Sequence, residues 1–163
     1  MSVNRKLYIT VTFACTQNAD GSFGGGATYT QTGSTPDMGT IVDSIGAIHF
    51  DQAPAAPEGY NDNVDIEFTL ASPCTVSPGN AQLDIAWATQ YGSGMTVEKM
   101  DGTTTTEMSV VFDPSSPNVI TIMDKDDDNN TYRYKPAVEL VRPGLNNYYI
   151  SLDPQITNRP TLG

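Results

Sequence analysis

Val64-Asp65-Ile66-Glu67-Phe68-Thr69-Leu70 decides the fold class. Large apolar residues take every second position, and polar ones fill the places between. Successive side chains of a strand point to opposite faces, so this run builds a strand with one apolar and one solvated face. The same period of two recurs at Leu7, Ile9, Val11 and Phe13, interleaved with Tyr8, Thr10 and Thr12. It returns at Leu83, Ile85 and Trp87.

Further strands are expected at 27–32, 40–50 (with a break at Gly46), 96–100, 103–112, 118–123, 131–140 and 147–152. The joints between them are legible. Asp101-Gly102 suits a type I′ hairpin turn, because both residues tolerate positive φ. Pro54, Pro57, Pro73, Pro78, Pro114 and Pro117 fall between the runs, where a residue without an N–H donor does no harm to a sheet. Pro136 falls inside a run, which predicts an edge or a bulge there. Residues 17–26 read as a mobile loop or a long hairpin tip, and 51–63 as a loop. Nine or ten short strands at this spacing predict one all-β domain over residues 1–163. The expected form is an antiparallel β-sandwich, immunoglobulin-like or jelly-roll-like, with a closed barrel as the alternative.

Composition agrees. Charged residues are 17% of the 163, below the roughly 25% of ordinary soluble domains. Thr, Ser, Asn and Gly are plentiful, as short strands joined by turns require. The net charge is −11, and no Lys or Arg occurs between Leu7 and Glu98, a span that holds ten acids. Such a surface repels phosphate backbones and anionic headgroups, so nucleic-acid and membrane-surface partners are not expected. No apolar run approaches the ~18 residues of a membrane span. The start Met1-Ser-Val-Asn-Arg-Lys6 is followed by alternation and not by the continuous apolar block of a secretory signal, so a cytoplasmic protein is expected. Cys15 and Cys74 fit reduced thiols as well as one disulfide; lacking a CxxC spacing, they read as small buried hydrophobes.

Asp124-Lys-Asp-Asp-Asp128 packs four aspartates into five residues, and Asn129 and Asn130 follow. Hard cations want six to eight oxygen ligands, and Asp124, Asp126 and Asp128 have the i, i+2, i+4 spacing that curls around one ion. An EF-hand register from Asp124 fails, with Asn129 at the glycine position and Lys135 at the bidentate glutamate position. The loop therefore reads as a hydrophilic hairpin tip, its positive φ supplied by Asn129 and Asn130, and as a candidate calcium site. No other cofactor is expected.

Catalytic chemistry has little to stand on. His49 is the only histidine, which excludes multi-histidine metal centres. It follows no nucleophile elbow. Asp65 and Glu67 share one face of a strand, with Asp84 nearby, and alternation puts them in solvent. Tyr132 and Tyr134 share a strand face and read as core; the alternative is that these tyrosines, with Tyr148 and Tyr149, form a stacking platform for sugars.

The chain closes with Asp153-Pro154-Gln-Ile156-Thr-Asn158-Arg159-Pro160. A Tyr-x-Tyr strand after an Asp/Asn loop, followed by this ending, resembles small bacterial proteins of the DP-EP type over about residues 118–160. The resemblance implies a compact bacterial β-sandwich and carries no reaction with it. In physical terms Asp153-Pro154 stops a strand, Ile156 suits a core position, and Asn158 and Arg159 can tie the tail down. An extended tail over 153–163 can equally add to a neighbour's sheet. The expectation is a non-enzymatic binding or assembly module, acting through sheet edges and this tail in a homo-oligomer or with a protein partner. The alternative is calcium-assisted carbohydrate binding through the Asp124–Asn130 loop.

Overall fold

The computed structural model describes residues 2–89, 94–126, 128–142, 144 and 148–158, with Tyr148 described by its backbone. Among these residues the chain forms twelve strands: β1 (Val3–Gln17), β2 (Phe23–Thr35), β3 (Ile48–His49), β4 (Tyr60–Leu70), β5 (Cys74–Ser77), β6 (Ala81–Trp87), β7 (Met95–Lys99), β8 (Met108–Phe112), β9 (Val119–Asp124), β10 (Thr131–Val141), β11 (Tyr148–Ser151) and β12 (Gln155–Thr157). The only helical turn described is the 3-10 segment Phe50–Gln52. No helix is long and apolar enough to cross a membrane.

The fold is all-β and sandwich-like, and it does not close into a barrel. One layer runs β2-β1-β4-β9-β8. The other is built on β10, with β12 and β11 along one side, β7 and β6 along the other, and β3 beyond β12. The short β5 joins them, pairing with the end of β1 and with β6. Phe68 of β4 meets Tyr134 of β10 with ring centroids 5.1 Å apart, which brings the two inner faces together. β1 pairs in parallel with β4 and β5, and so does β12 with β3, a departure from the expected all-antiparallel sheet. Parallel neighbours need crossovers, and the chain makes the first one through β2 and β3 before returning beside β1.

Alternation explains the core. Leu7, Ile9, Val11, Phe13 and Cys15 of β1 are buried, as are Val64, Ile66, Phe68 and Leu70 of β4. From β10 come Tyr132, Tyr134, Val138 and Leu140, so the two tyrosines are core residues. Pro136 stands where β10 changes partners, from β12 to β11 on one side and from β7 to β6 on the other. A missing donor costs least at such a handover.

Several local expectations are corrected. The stretch expected as a strand over 40–50 contributes only β3, because Gly46 at φ 92° turns the chain back onto Asp43. Of the two readings of 17–26 the long hairpin tip is the one found, with β1 and β2 paired antiparallel from Gln17 opposite Phe23. A Cβ on Gly25 would fall 2.1 Å from the Ala14 carbonyl oxygen, so glycine is what lets β2 approach β1 here. At Asp101-Gly102 only Gly102 has positive φ, and the turn closes from Gly102 N–H to the Lys99 carbonyl (2.9 Å). It is not a type I′ hairpin: β7 pairs with β10 and β8 with β9. Nor is the Asp124–Asn130 segment a hairpin tip. Because β9 lies in one layer and β10 in the other, this segment is a crossover over the end of the sandwich.

The tail is docked within its own chain. β12 pairs antiparallel with β10 and parallel with β3. Pro154, Ile156 and Asn158 are buried while Asp153 and Gln155 are exposed. Arg159 lies outside the described residues.

Candidate functional site

Three chain segments meet where the crossover leaves β9. Ile120, Ile122 and Asp124 all point inward from β9, so alternation carries the Asp124 carboxylate to the end of the core, where it is 1% exposed. Two residues later Asp126 adopts φ 52°, and its N–H donates to Asp124 Oδ1 (2.9 Å). This tight turn buries Asp126 as well. Positive φ thus falls on Asp126 and Asn129.

Asp126 is engaged elsewhere. Its Oδ2 accepts from Arg5 Nη2 at 2.8 Å, and both side chains are fully buried. The same nitrogen donates to the Asp62 carbonyl (2.6 Å). The crossover is thereby fastened to β1 and to the β4 strand beside it.

Asp124 and Asp128 turn toward the tail. Asn158 follows β12, is fully buried, and receives a backbone anchor from its N–H to the Asn130 carbonyl (2.9 Å). Its Nδ2 lies 3.1 Å from Asp124 Oδ1, 3.1 Å from Asp128 Oδ1 and 3.4 Å from Glu107 Oε1. Glu107 is placed just before β8, where its carbonyl accepts from Lys125 N–H (3.1 Å). Asp128 is held further by Asn130 N–H (3.1 Å) and by the Tyr132 hydroxyl, which donates to its Oδ2.

The polar groups do not balance. An amide nitrogen carries two hydrogens, and three carboxylates face this one. Asp124 Oδ2 and Asn158 Oδ1 are buried with no partner. Burial pushes the Asp124 carboxyl up to about 8, with the charges of Asp126 and Glu107 adding to the rise and donors from Asp126 N–H and Asn158 opposing it. Burial also works against Asp128, but the donors Tyr132, Asn130 and Asn158 together hold its carboxyl below the ordinary value. Solvent reaches the cluster from both sides of Glu107. One cavity of about 330 Å³ is lined by Thr105, Glu107, Asp128 and Tyr132 among others, and one of about 140 Å³ by Asn63, Glu107, Asp124 and Lys125 among others.

Of the three expected ligands, Asp124 and Asp128 converge while Asp126 is spent on Arg5. Glu107 and Asn158 join in their place. As the side chains stand, no three His, Cys, Asp or Glu among the described residues are close enough together to enclose an ion. The Asn158 amide occupies the point on which the carboxylates converge. Arg5 had a sequence signal, being in phase with Leu7 and Ile9; Glu107 had none.

The other candidates lie apart. His49 is half-buried on β3, 3.5 Å from Asp43 and 3.9 Å from Asp51. Asp84 is exposed, and Asp65 and Glu67 are partly so on β4, where Asp65 accepts from Asn4 (3.1 Å). Tyr149 is 39% exposed on β11. A scan of known protein families finds no match to this chain, and neither does a search of curated proteins.

Proposed function

We propose that this protein is a non-enzymatic binding module that takes a hard divalent cation, calcium first, between Glu107, Asp124, Asp128 and Asn158. The observation that carries the reading is the Asn158 amide, fully buried among three carboxylates with its own Oδ1 and Asp124 Oδ2 unpartnered. Amide oxygen and nitrogen are nearly the same size, so the group can turn over in place once a cation is there to meet its oxygen and the carboxylates. That turn offers Oδ1 to the same point, giving four oxygen-bearing side chains from three segments. Calcium takes about six to eight oxygens at roughly 2.3–2.6 Å, and water from the flanking cavities would complete the shell that these side chains begin. A cation also offsets the burial that pushes the Asp124 carboxyl up. Magnesium suits the site less, because it demands a tight octahedron and dehydrates reluctantly.

Calorimetric titration of calcium into chelator-treated protein tests this. One site is expected, with the heat lost in Asp128→Asn and in Asn158→Ala and much weaker heat with magnesium. No heat from the parent protein at millimolar calcium would end the reading. A carbohydrate ligand finds less support, since Tyr132 and Tyr134 are buried and offer no stacking platform.

A second reading, self-association through a sheet edge, is favoured by β8. Among the described residues it pairs on one side only, it contains neither charge nor proline, and it leaves Val111 49% exposed beside Met123 at 39%.

A further inference from the structure

β1 ends its inward series at Cys15, and β5 begins at Cys74. The two strands run parallel, with Cys15 opposite Val76 and Ala14 opposite Thr75. This register sets the thiols diagonally across one strand gap on the same inner face. Their sulfurs are 3.3 Å apart, and both residues are buried, at 2% and 3% exposure. On the far side β2 closes over Cys15 through Gly25, whose missing Cβ would otherwise collide with the β1 backbone.

We propose that Cys15 and Cys74 form a structural disulfide when the chain folds in the presence of a small-molecule disulfide oxidant. The sulfurs need to approach from contact to a bond of about 2 Å; diagonal neighbours on adjacent strands lie roughly 7–8 Å apart, at the upper limit of a disulfide's span, so the short β5 shifts toward β1 as the bond closes. The step balances as an exchange. One cysteine thiolate attacks the reagent disulfide and releases one reagent thiolate. The second cysteine thiolate then attacks the mixed disulfide, closing Sγ–Sγ and releasing the other. Both cysteine protons pass to the two released thiolates. The protein loses two electrons and the reagent gains them.

Burial sets the timing. It pushes the Cys15 thiol up to about 12, with its hydrogen bond to Cys74 adding to the rise, so Cys15 holds little thiolate at neutral pH once folded, and both sulfurs are shielded from reagents. Exchange needs the thiolate. The bond therefore closes while β5 is still undocked and resists reduction afterward. It staples the strand through which hydrogen bonding passes between the layers, β1 to β5 to β6. The covalent loop encloses β2, β3 and β4, and a closed loop of this length restricts the unfolded chain strongly. A chain with such a staple suits an oxidising compartment, in contrast to the cytoplasmic placement expected from its N-terminus.

Refolding the full chain with and without a mixture of oxidised and reduced glutathione tests the proposal. After denaturation, the oxidised sample should show no titratable thiol and a monomer mass lower by two hydrogens; the reduced sample should show both thiols. The oxidised form should melt higher by on the order of 10 °C. Cys15→Ala/Cys74→Ala should melt near the reduced parent and not respond to the oxidant. Thiols that stay titratable, covalent dimers, or an oxidised form that melts no higher than the reduced one would each overturn it. The parent comparison decides the matter even if the variant fails to fold.

Discussion

Arg5 stands two residues before Leu7 in the inward series of β1, at a position where alternation calls for an apolar side chain. It is 1% exposed, and its Nε and Nη1 have no partner. Desolvating a guanidinium is costly, and what offsets it here is Asp126 at 2.8 Å together with the Asp62 carbonyl. Removing one member of such a pair is worse than removing both, because the remaining charge stays in the interior. Arg5→Met should therefore destabilise the fold by about 3–5 kcal/mol in urea denaturation, and Arg5→Met/Asp126→Leu should recover a substantial part. A single variant as stable as the parent would mean the pair is solvated and loose. Because Asp126 serves this pair, Asp126→Asn is a poor probe of cation binding; Asp128, only half-buried, is a better one.

Among the elements, β12 does most for its length. Its three residues pair with β10 on one side and β3 on the other, and Ile156 is fully buried between the layers. It delivers Asn158 to the acidic cluster. The closing Asp-Pro-x-Ile-x-Asn pattern thus has a physical meaning, since Pro154, Ile156 and Asn158 are the buried half of an alternating strand. Ile156→Ala should lower stability by about 2–5 kcal/mol, the cost of an unfilled cavity at a fully buried site. The midpoint of denaturant unfolding reads it. An unchanged midpoint would show that the tail is not seated in its own sheet.

At the scale of the whole molecule, β8 is an edge among the described residues, and the strand itself carries no charge. Exposed, uncharged edges invite pairing with a second chain. Sedimentation should find reversible self-association that rises with protein concentration and is lost in Val111→Lys, which puts a charge on the edge. A parent protein that stays monomeric throughout would remove the assembly reading without touching the cation site. The strongly acidic surface, −11 in all, opposes close approach of two copies. Association should accordingly strengthen with salt.

Period-two alternation determined the all-β class, nearly every long strand, and which face of each is buried, because a strand's inward series depends only on the order of its own residues. The same logic placed Tyr132 and Tyr134 in the core. It did not reveal that Asp124–Asn130 crosses between layers, because which strands pair is set by long-range register and not by local sequence. β5 and β12 escaped notice because three or four residues carry too little pattern. Glu107 and Asn158, fifty-one positions apart, come together only once β8, β9 and β12 are docked. The contact between Cys15 and Cys74 likewise required the parallel pairing of β1 with β5, which no spacing in the chain announces.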